Sequence, residues 1–290
     1  AKNGTPVIVV DPRRTDMART ASVWLRVFPD KDVAILNCIA ALLWKKFGHD
    51  SNFIERFTEG ITQFAEGLST FNAERLCVEA GVDMVSLEKA ADLLSGKKIA
   101  FVVGHGIMQQ RNASHSIEAI LNLSLLTGSM GRMRGGIYVL EKENNQLGAG
   151  DMGAVPYSLP GGQLINNKAV RKQWEKNWGT RLSPDPGLNI LRMLEEAENG
   201  NLKALFIMGE NPLRSFPQPE RVRKALSNLD FLVVQDILTT ETSEIADVVL
   251  PGAAFSEKSG SFTNIEGRIQ PFEQVVPPPG EAKADWEILD

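Results

Sequence analysis

Residues 229–251 constrain the fold more than any other stretch of this chain. Phe231 to Val234 is an apolar run that stops at Gln235 and Asp236, and Ala246 to Leu250 is a second, mostly apolar run that stops at Pro251. Short apolar runs bounded by turn residues read as buried strands, and a polar, capped turn lies between these two. Gln235 and Asp236 therefore arrive at a carboxyl end of one of two neighbouring strands, where open α/β sheets hold their ligands.

The rest of the chain repeats this alternation. Pro6 to Val10 is a strand closed by Asp11-Pro12-Arg13, where proline disfavours helix at the residue before it. Asp32 opens a helix whose apolar positions 33, 35, 36, 39, 42 and 43 follow the helical period. Helix is expected again over 87–94, strand over 99–103, and a helix capped by Ser114 or Ser116 runs to Leu126, with Gly128 stopping it. Residues 128–167 are glycine-rich without clear periodicity and read as an ordered connection that covers a ligand. Helices over 189–198 and 219–229 then alternate with strands over 204–208, 231–234 and 246–250. Beyond Pro251 the chain is turn-rich, and Pro277 to Pro279 form an extended spacer. The expected class is α/β: two doubly wound, mostly parallel-sheet domains, with a boundary near residue 142. Residues 1–142 form one domain and 143–290 part of a second.

The 290 residues suit two ordinary domains, and 43% hydrophobic with 23% charged residues describes a globular chain. A net charge of −5 argues against a nucleic-acid partner. The longest apolar run, 33–44, is interrupted by Asn37 and is too short to span a membrane. Cys38 and Cys77 are too few to hold an iron–sulfur cluster, and Cys38 reads as a buried core thiol. Low cysteine usage fits a reducing compartment: the cytoplasm is expected, with the periplasm as the alternative for a longer parent protein. No initiator Met or signal peptide begins the sequence, and Asp285 to Asp290 reads as the first turn of a helix capped by Asp285. A piece of a longer polypeptide is the expectation.

Candidate ligand residues sit at the strand ends. Asp11-Pro12-Arg13-Arg14-Thr15 offers a carboxylate for guanine or ribose and arginine forks for phosphate, although a polar turn alone has the same composition. Asp30-Lys31-Asp32 is similar, with Asp32 also a natural helix cap. Gly104-His105-Gly106, followed by Gln109, is a turn that lets a ligand approach the backbone; His105 has no companion for a metal. Gly209-Glu210-Asn211-Pro212 closes the strand over 204–208, and Lys258 could bring an ammonium to a phosphate or purine. The turn at Gly104 does not match the G-x-G-x-x-G fingerprint, and a Walker loop, the serine-hydrolase elbow, H-E-x-x-H and metal-spaced cysteines are absent. No catalytic or metal-ligating residue is assigned. The chain looks built to hold a group rather than to transform it.

Nine segments occur in the order of one known family: VIVVDPRRTDMARTAS, VVGHGIMQQ, LTGSMGRMRGG, NNQLGAGDMG, LPGG, MGENP, VVQDILTTETSEIADVVLP, EKSGSFTNIEGR and PPPGEAKADWEIL. Together they resemble the central region of molybdopterin oxidoreductase large subunits of the dimethyl sulfoxide reductase and formate dehydrogenase superfamily. The resemblance implies two molybdopterin guanine dinucleotides, with molybdenum or tungsten, held by two related α/β domains. By position, Asp11, Pro12, Arg13, Arg14, Thr15, Asp30, Lys31, Asp32, His105 and Gln109 would line one. Asn211, Gln235, Asp236, Lys258 and Asp285 would line the other. It further implies amino- and carboxy-terminal domains in the parent, a 4Fe-4S cluster in the amino-terminal part, and iron–sulfur electron-transfer partners. The fragment alone is expected to be inactive and is open to being cofactor-free. Formate-oxidising members carry an Arg just before the Asn pair, where this chain has Glu141-Lys142-Glu143, which argues against formate as substrate. The alternative is the scaffold of an NADH–quinone oxidoreductase-type subunit without molybdenum. A thiamine-diphosphate enzyme is a distant third, since no Gly-Asp-Gly precedes an Asn pair.

Overall fold

A computed structural model describes residues 4–133 and 135–290. Ala1 to Asn3 and Arg134, which falls in the LTGSMGRMRGG segment, lie outside the described residues. The chain divides into two compact units, Ala1–Lys142 and Glu143–Asp290.

Unit 1 begins with β1 (Ile8–Val10), α1 (Asp16–Thr20) and β2 (Val23–Leu25), and β1 runs parallel to β2. Five helices follow: α2 (Asp32–Leu42), α3 (Ser51–Phe57), α4 (Ile61–Ser69), α5 (Ala73–Ala80) and α6 (Met84–Leu94). Then come β3 (Ala100–Val103), α7 (His105–Met108), α8 (Ala113–Leu126) and β4 (Gly136–Val139), with β3 parallel to β4. The apolar stripe of α2 buries Ile35, Leu36 and Ile39 against α5, α6 and α8, whose Leu87 and Leu123 are fully enclosed. One π-helical turn over Leu43–Phe47 ends α2, so Leu43 belongs to that wider turn. Asp83 caps α6, accepting from the backbone N–H of Ser86, and the helix starts three residues earlier than its apolar run. Helix α8 starts at Ala113 with no side-chain cap; Ser116 is buried inside it, so neither serine is the cap.

Unit 2 contains α9 (Gln146–Asp151), β5 (Ser158–Leu159), β6 (Gln163–Leu164), α10 (Lys168–Trp178) and α11 (Ile190–Glu198). Its sheet is β7 (Ala204–Met208), β8 (Phe231–Asp236) and β9 (Val248–Pro251), all parallel in the order β7-β8-β9. The short α12 (Pro212–Ser215) and α13 (Pro219–Ser227) join β7 to β8, and α13 seats Val222 and Leu226 on the sheet. Hairpin β10 (Gly260–Thr263) with β11 (Ile269–Phe272) and the terminal α14 (Asp285–Leu289) complete it.

The architecture is α/β with small, mostly parallel sheets, as expected. Three details differ from the reading of the sequence. Residues 128–167 are not one irregular connection: they contain β4, α9 and the β5–β6 hairpin. These elements are two to six residues long, too short to show a period, and β4 gains its hydrogen bonds from β3. Helix α10 falls in a segment without an earlier assignment and has no buried residue. Asp285 is the first residue of α14 rather than its cap: Glu287 accepts from the Ala284 N–H and closes that end. No helix among the described residues is long and apolar enough to cross a membrane.

Candidate functional site

In unit 1, every expected ligand turn follows the carboxyl end of a parallel strand. The turn after β1 is held over β2, where Asp11 N–H donates to Leu25 O (3.2 Å) and the Trp24 indole donates to Asp11 O (2.9 Å). One carboxylate oxygen of Asp11 accepts the Arg13 N–H at 2.7 Å, which shapes the turn locally. Thr15 caps α1 through Ala18 N–H, Arg14 lies 5.9 Å over the Trp24 ring, and Pro12, Arg13 and Arg14 are exposed. Asp30 takes a left-handed conformation at φ 64°, which a short polar side chain tolerates, and both Asp30 and Lys31 are exposed.

Asp32 is not a cap. Its carboxylate is buried and accepts the Gln110 amide at 2.5 Å, joining the turn after β2 to the turn after β3. Gln110, rather than its neighbour Gln109, makes this bridge; Gln109 itself is exposed and closes α7. His105 Nδ1 is enclosed without a hydrogen-bond partner.

Unit 2 gathers three expected residues. Gln235 belongs to β8 itself and is 1% exposed. Its Nε2 donates to Asp285 Oδ1 at 2.7 Å, Asp285 Oδ2 accepts from Lys258 Nζ, and its own Oε1 has no partner. Chain direction explains the meeting. The segment before α14 runs parallel to the end of β9, with Gly252 opposite Lys283 and Ala253 N–H bonded to Lys283 O at 2.8 Å. That alignment brings Asp285 beside β8 although it lies 50 residues away. Gly252 permits the close approach: a Cβ there would stand 3.3 Å from Gln235 Nε2. Asp236 caps its own turn through Ile237 N–H.

Asn211 lies apart from that trio and has its own network. Thr242, fully buried, donates to Asn211 Oδ1 at 2.7 Å, and Asn211 Nδ2 donates to Glu241 at 2.6 Å. The Asn211 amide hydrogen bond holds the Glu241 carboxyl below its usual range, helped by the residue's own N–H and by Arg214 and Arg223. Sequence reasoning missed Gln110, Glu241 and Thr242. Their polar types were visible, but nothing local marks a partner 30 or more residues away.

A molybdopterin oxidoreductase family model matches residues 1–290. The chain belongs to the molybdopterin oxidoreductase family. It is 39% identical to the F420-dependent formate dehydrogenase subunit alpha of Methanocaldococcus jannaschii, over 99% of this chain and 42% of that protein. It is 31% identical to formate dehydrogenase H of Escherichia coli and to the assimilatory nitrate reductase catalytic subunit of Bacillus subtilis, over 99% of this chain and 41% of each. The chain thus spans about two fifths of the length of these curated relatives. Among solved structures, acetylene hydratase from Pelobacter acetylenicus superposes with a TM-score of 0.78 at 23% identity, over 99% of this chain and 42% of that one. That likeness shows that the two chains share a fold.

Proposed function

We propose that this chain is the cofactor-holding central region of a molybdopterin-dependent oxidoreductase catalytic subunit. Unit 1 takes one molybdopterin guanine dinucleotide and unit 2 the other, so the division at residue 142 separates two nucleotide sites. The observation that carries the reading is Gln235, whose enclosed Oε1 is unpaired beside the Asp285–Lys258 pair. A buried polar atom without a partner costs about 1–3 kcal/mol. A ligand N–H, such as N1–H or the exocyclic amine of guanine, would relieve that cost. In unit 1, the unpaired His105 Nδ1 and the buried Asp32 fit the same kind of ligand, with the exposed Arg13 and Arg14 together in the turn after β1 to meet phosphate.

When bound, the group carries molybdenum or tungsten and supplies electron exchange at the metal. The residues of this chain bind, orient and shield it, and none is assigned a catalytic role. Further domains of the parent polypeptide, a 4Fe-4S cluster and iron–sulfur partners complete the proposed enzyme, whose expected compartment is the cytoplasm. The stretch Glu141-Lys142-Glu143, where formate-oxidising members carry an Arg, argues for a proposed substrate other than formate.

The test is analysis of the full-length protein for metal and for GMP released by acid hydrolysis. Two GMP per molybdenum or tungsten are expected, falling to about one when Gln235→Leu and Lys258→Ala are combined. Absence of both metal and GMP overturns the reading and leaves an electron-transfer scaffold in its place.

A further inference from the structure

Asn211 is the expected ligand residue at the end of β7, yet most of its polar groups are already engaged within the protein. Its N–H donates to Glu210 Oε1 at 3.0 Å, its carbonyl accepts from Arg214 and Ser215 N–H at 3.0 Å, and its side-chain amide is shared between Thr242 and Glu241. An asparagine amide has two donor hydrogens and two acceptor positions. One hydrogen and one lone pair therefore remain.

Both engaging residues come from the connection between β8 and β9, which is itself braced. Thr240 N–H donates to Ser243 Oγ at 2.8 Å, Ser243 N–H returns to Thr240 Oγ1 at 3.2 Å, and Ser243 Oγ donates to Thr240 O at 2.8 Å. Thr242 Oγ1 also accepts the buried Leu213 N–H at 3.3 Å, so one hydroxyl ties α12 and Asn211 to the same turn. On the other side, Glu210 Oε1 accepts Ser215 Oγ at 2.5 Å and fixes the far end of α12.

We propose that Thr242 and Glu241 are positioning residues, which lock the Asn211 amide in one orientation and leave it a single hydrogen to donate to a ligand oxygen. The remaining hydrogen suits an acceptor, such as a phosphate or ribose oxygen of a nucleotide, and the remaining Oδ1 lone pair is held in an equally fixed direction. The ligand half of this proposal rests on the dinucleotide reading of unit 2, whereas the lock rests on the hydrogen bonds alone. A donor held in place before binding loses little freedom when the ligand arrives, which is why such a lock strengthens affinity.

The experiment uses this chain labelled with 15N-asparagine, with the Asn211 side-chain pair assigned by its loss in Asn211→Leu. Wild type is expected to show two well-separated NH2 proton signals, displaced from those of solvated asparagines. Glu241→Ala, at an exposed position that leaves folding intact, should move one proton towards the solvated position. Thr242→Val should move both, and Thr242→Ser should restore them. GDP titration supplies the second readout: Thr242→Val and Glu241→Ala should each weaken binding about tenfold, with Thr242→Ser near wild type. An Asn211 pair that sits at solvated shifts in wild type, or is unmoved in both variants, overturns the lock. GDP affinity unchanged in both variants overturns its role in ligand uptake. Failure of wild type to bind GDP counts against the dinucleotide reading and the ligand half together, while the amide signals still decide the lock.

Discussion

Thr242 has no solvent exposure and two hydrogen bonds, one donated to Asn211 and one accepted from Leu213 N–H. Thr242→Val keeps the shape and strands both partners, so a loss of about 1–3 kcal/mol is expected from the midpoint of urea unfolding. Glu241 shows the opposite regime, an exposed carboxylate whose acidity the Asn211 amide increases. A carboxyl group with a depressed pKa stabilises the fold above its unfolded value, and that contribution is lost as pH falls through the lowered folded value. Glu241→Gln should therefore give a flatter profile of stability against acidic pH than wild type, and superimposable profiles would remove the carboxylate from the network. Burial pushes the Cys38 thiol up to about 12, with a smaller contribution from Cys77, and Cys77 is raised by burial as well. Thiolate is the reactive form, so iodoacetamide at pH 8 should label neither cysteine until denaturant is added. Rapid labelling of the native chain would contradict their burial.

At the scale of elements, the ends of helices and strands decide what reaches the candidate sites. Helix α8 stops at Gly128, which has φ +59°, and a Cβ there would overlap the Asp50 carboxylate. That carboxylate also caps α3 and binds Arg132 at 3.0 Å. Gly131 has a similar φ, +68°, but open space around it. Gly131→Ala should cost about 1 kcal/mol of backbone strain, and Gly128→Ala should cost about 1–3 kcal/mol, because the clash adds to the same strain. Thermal unfolding of the pair separates the two contributions, and equal losses would dismiss the Asp50 contact. Strand β8 was legible as an apolar run, but its last two residues were not recognised as part of it. Gln235 and Asp236 are polar, and only pairing with Met208, Leu250 and Pro251 extends the strand through them.

The two units differ in how much apolar surface they enclose. Unit 1 has a cluster of 24 buried apolar residues among those described and unit 2 a cluster of six, so unit 2 has the smaller hydrophobic driving force. Denaturant unfolding of this chain is expected to show two transitions rather than one. Leu226→Ala should lower only the first and Leu123→Ala only the second, each by about 2–5 kcal/mol. A single transition shifted equally by both would show that the units unfold together. The weak core of unit 2 also carries the unpaired Gln235 Oε1, so a ligand that engages Gln235 should raise the first transition.

The order of elements, the α/β class and the polar strand ends are properties of the sequence alone, because periodicity and turn residues act over a few neighbouring positions. The motifs carried the family for the same reason, as each is a short contiguous string. Which side chains meet was decided only by the tertiary structure. Gln235, Lys258 and Asp285 converge because one late segment aligns with the edge of the sheet, and Gln110 meets Asp32 across 78 residues of chain. Partnership across tens of residues depends on how strands stack, and no local pattern encodes that.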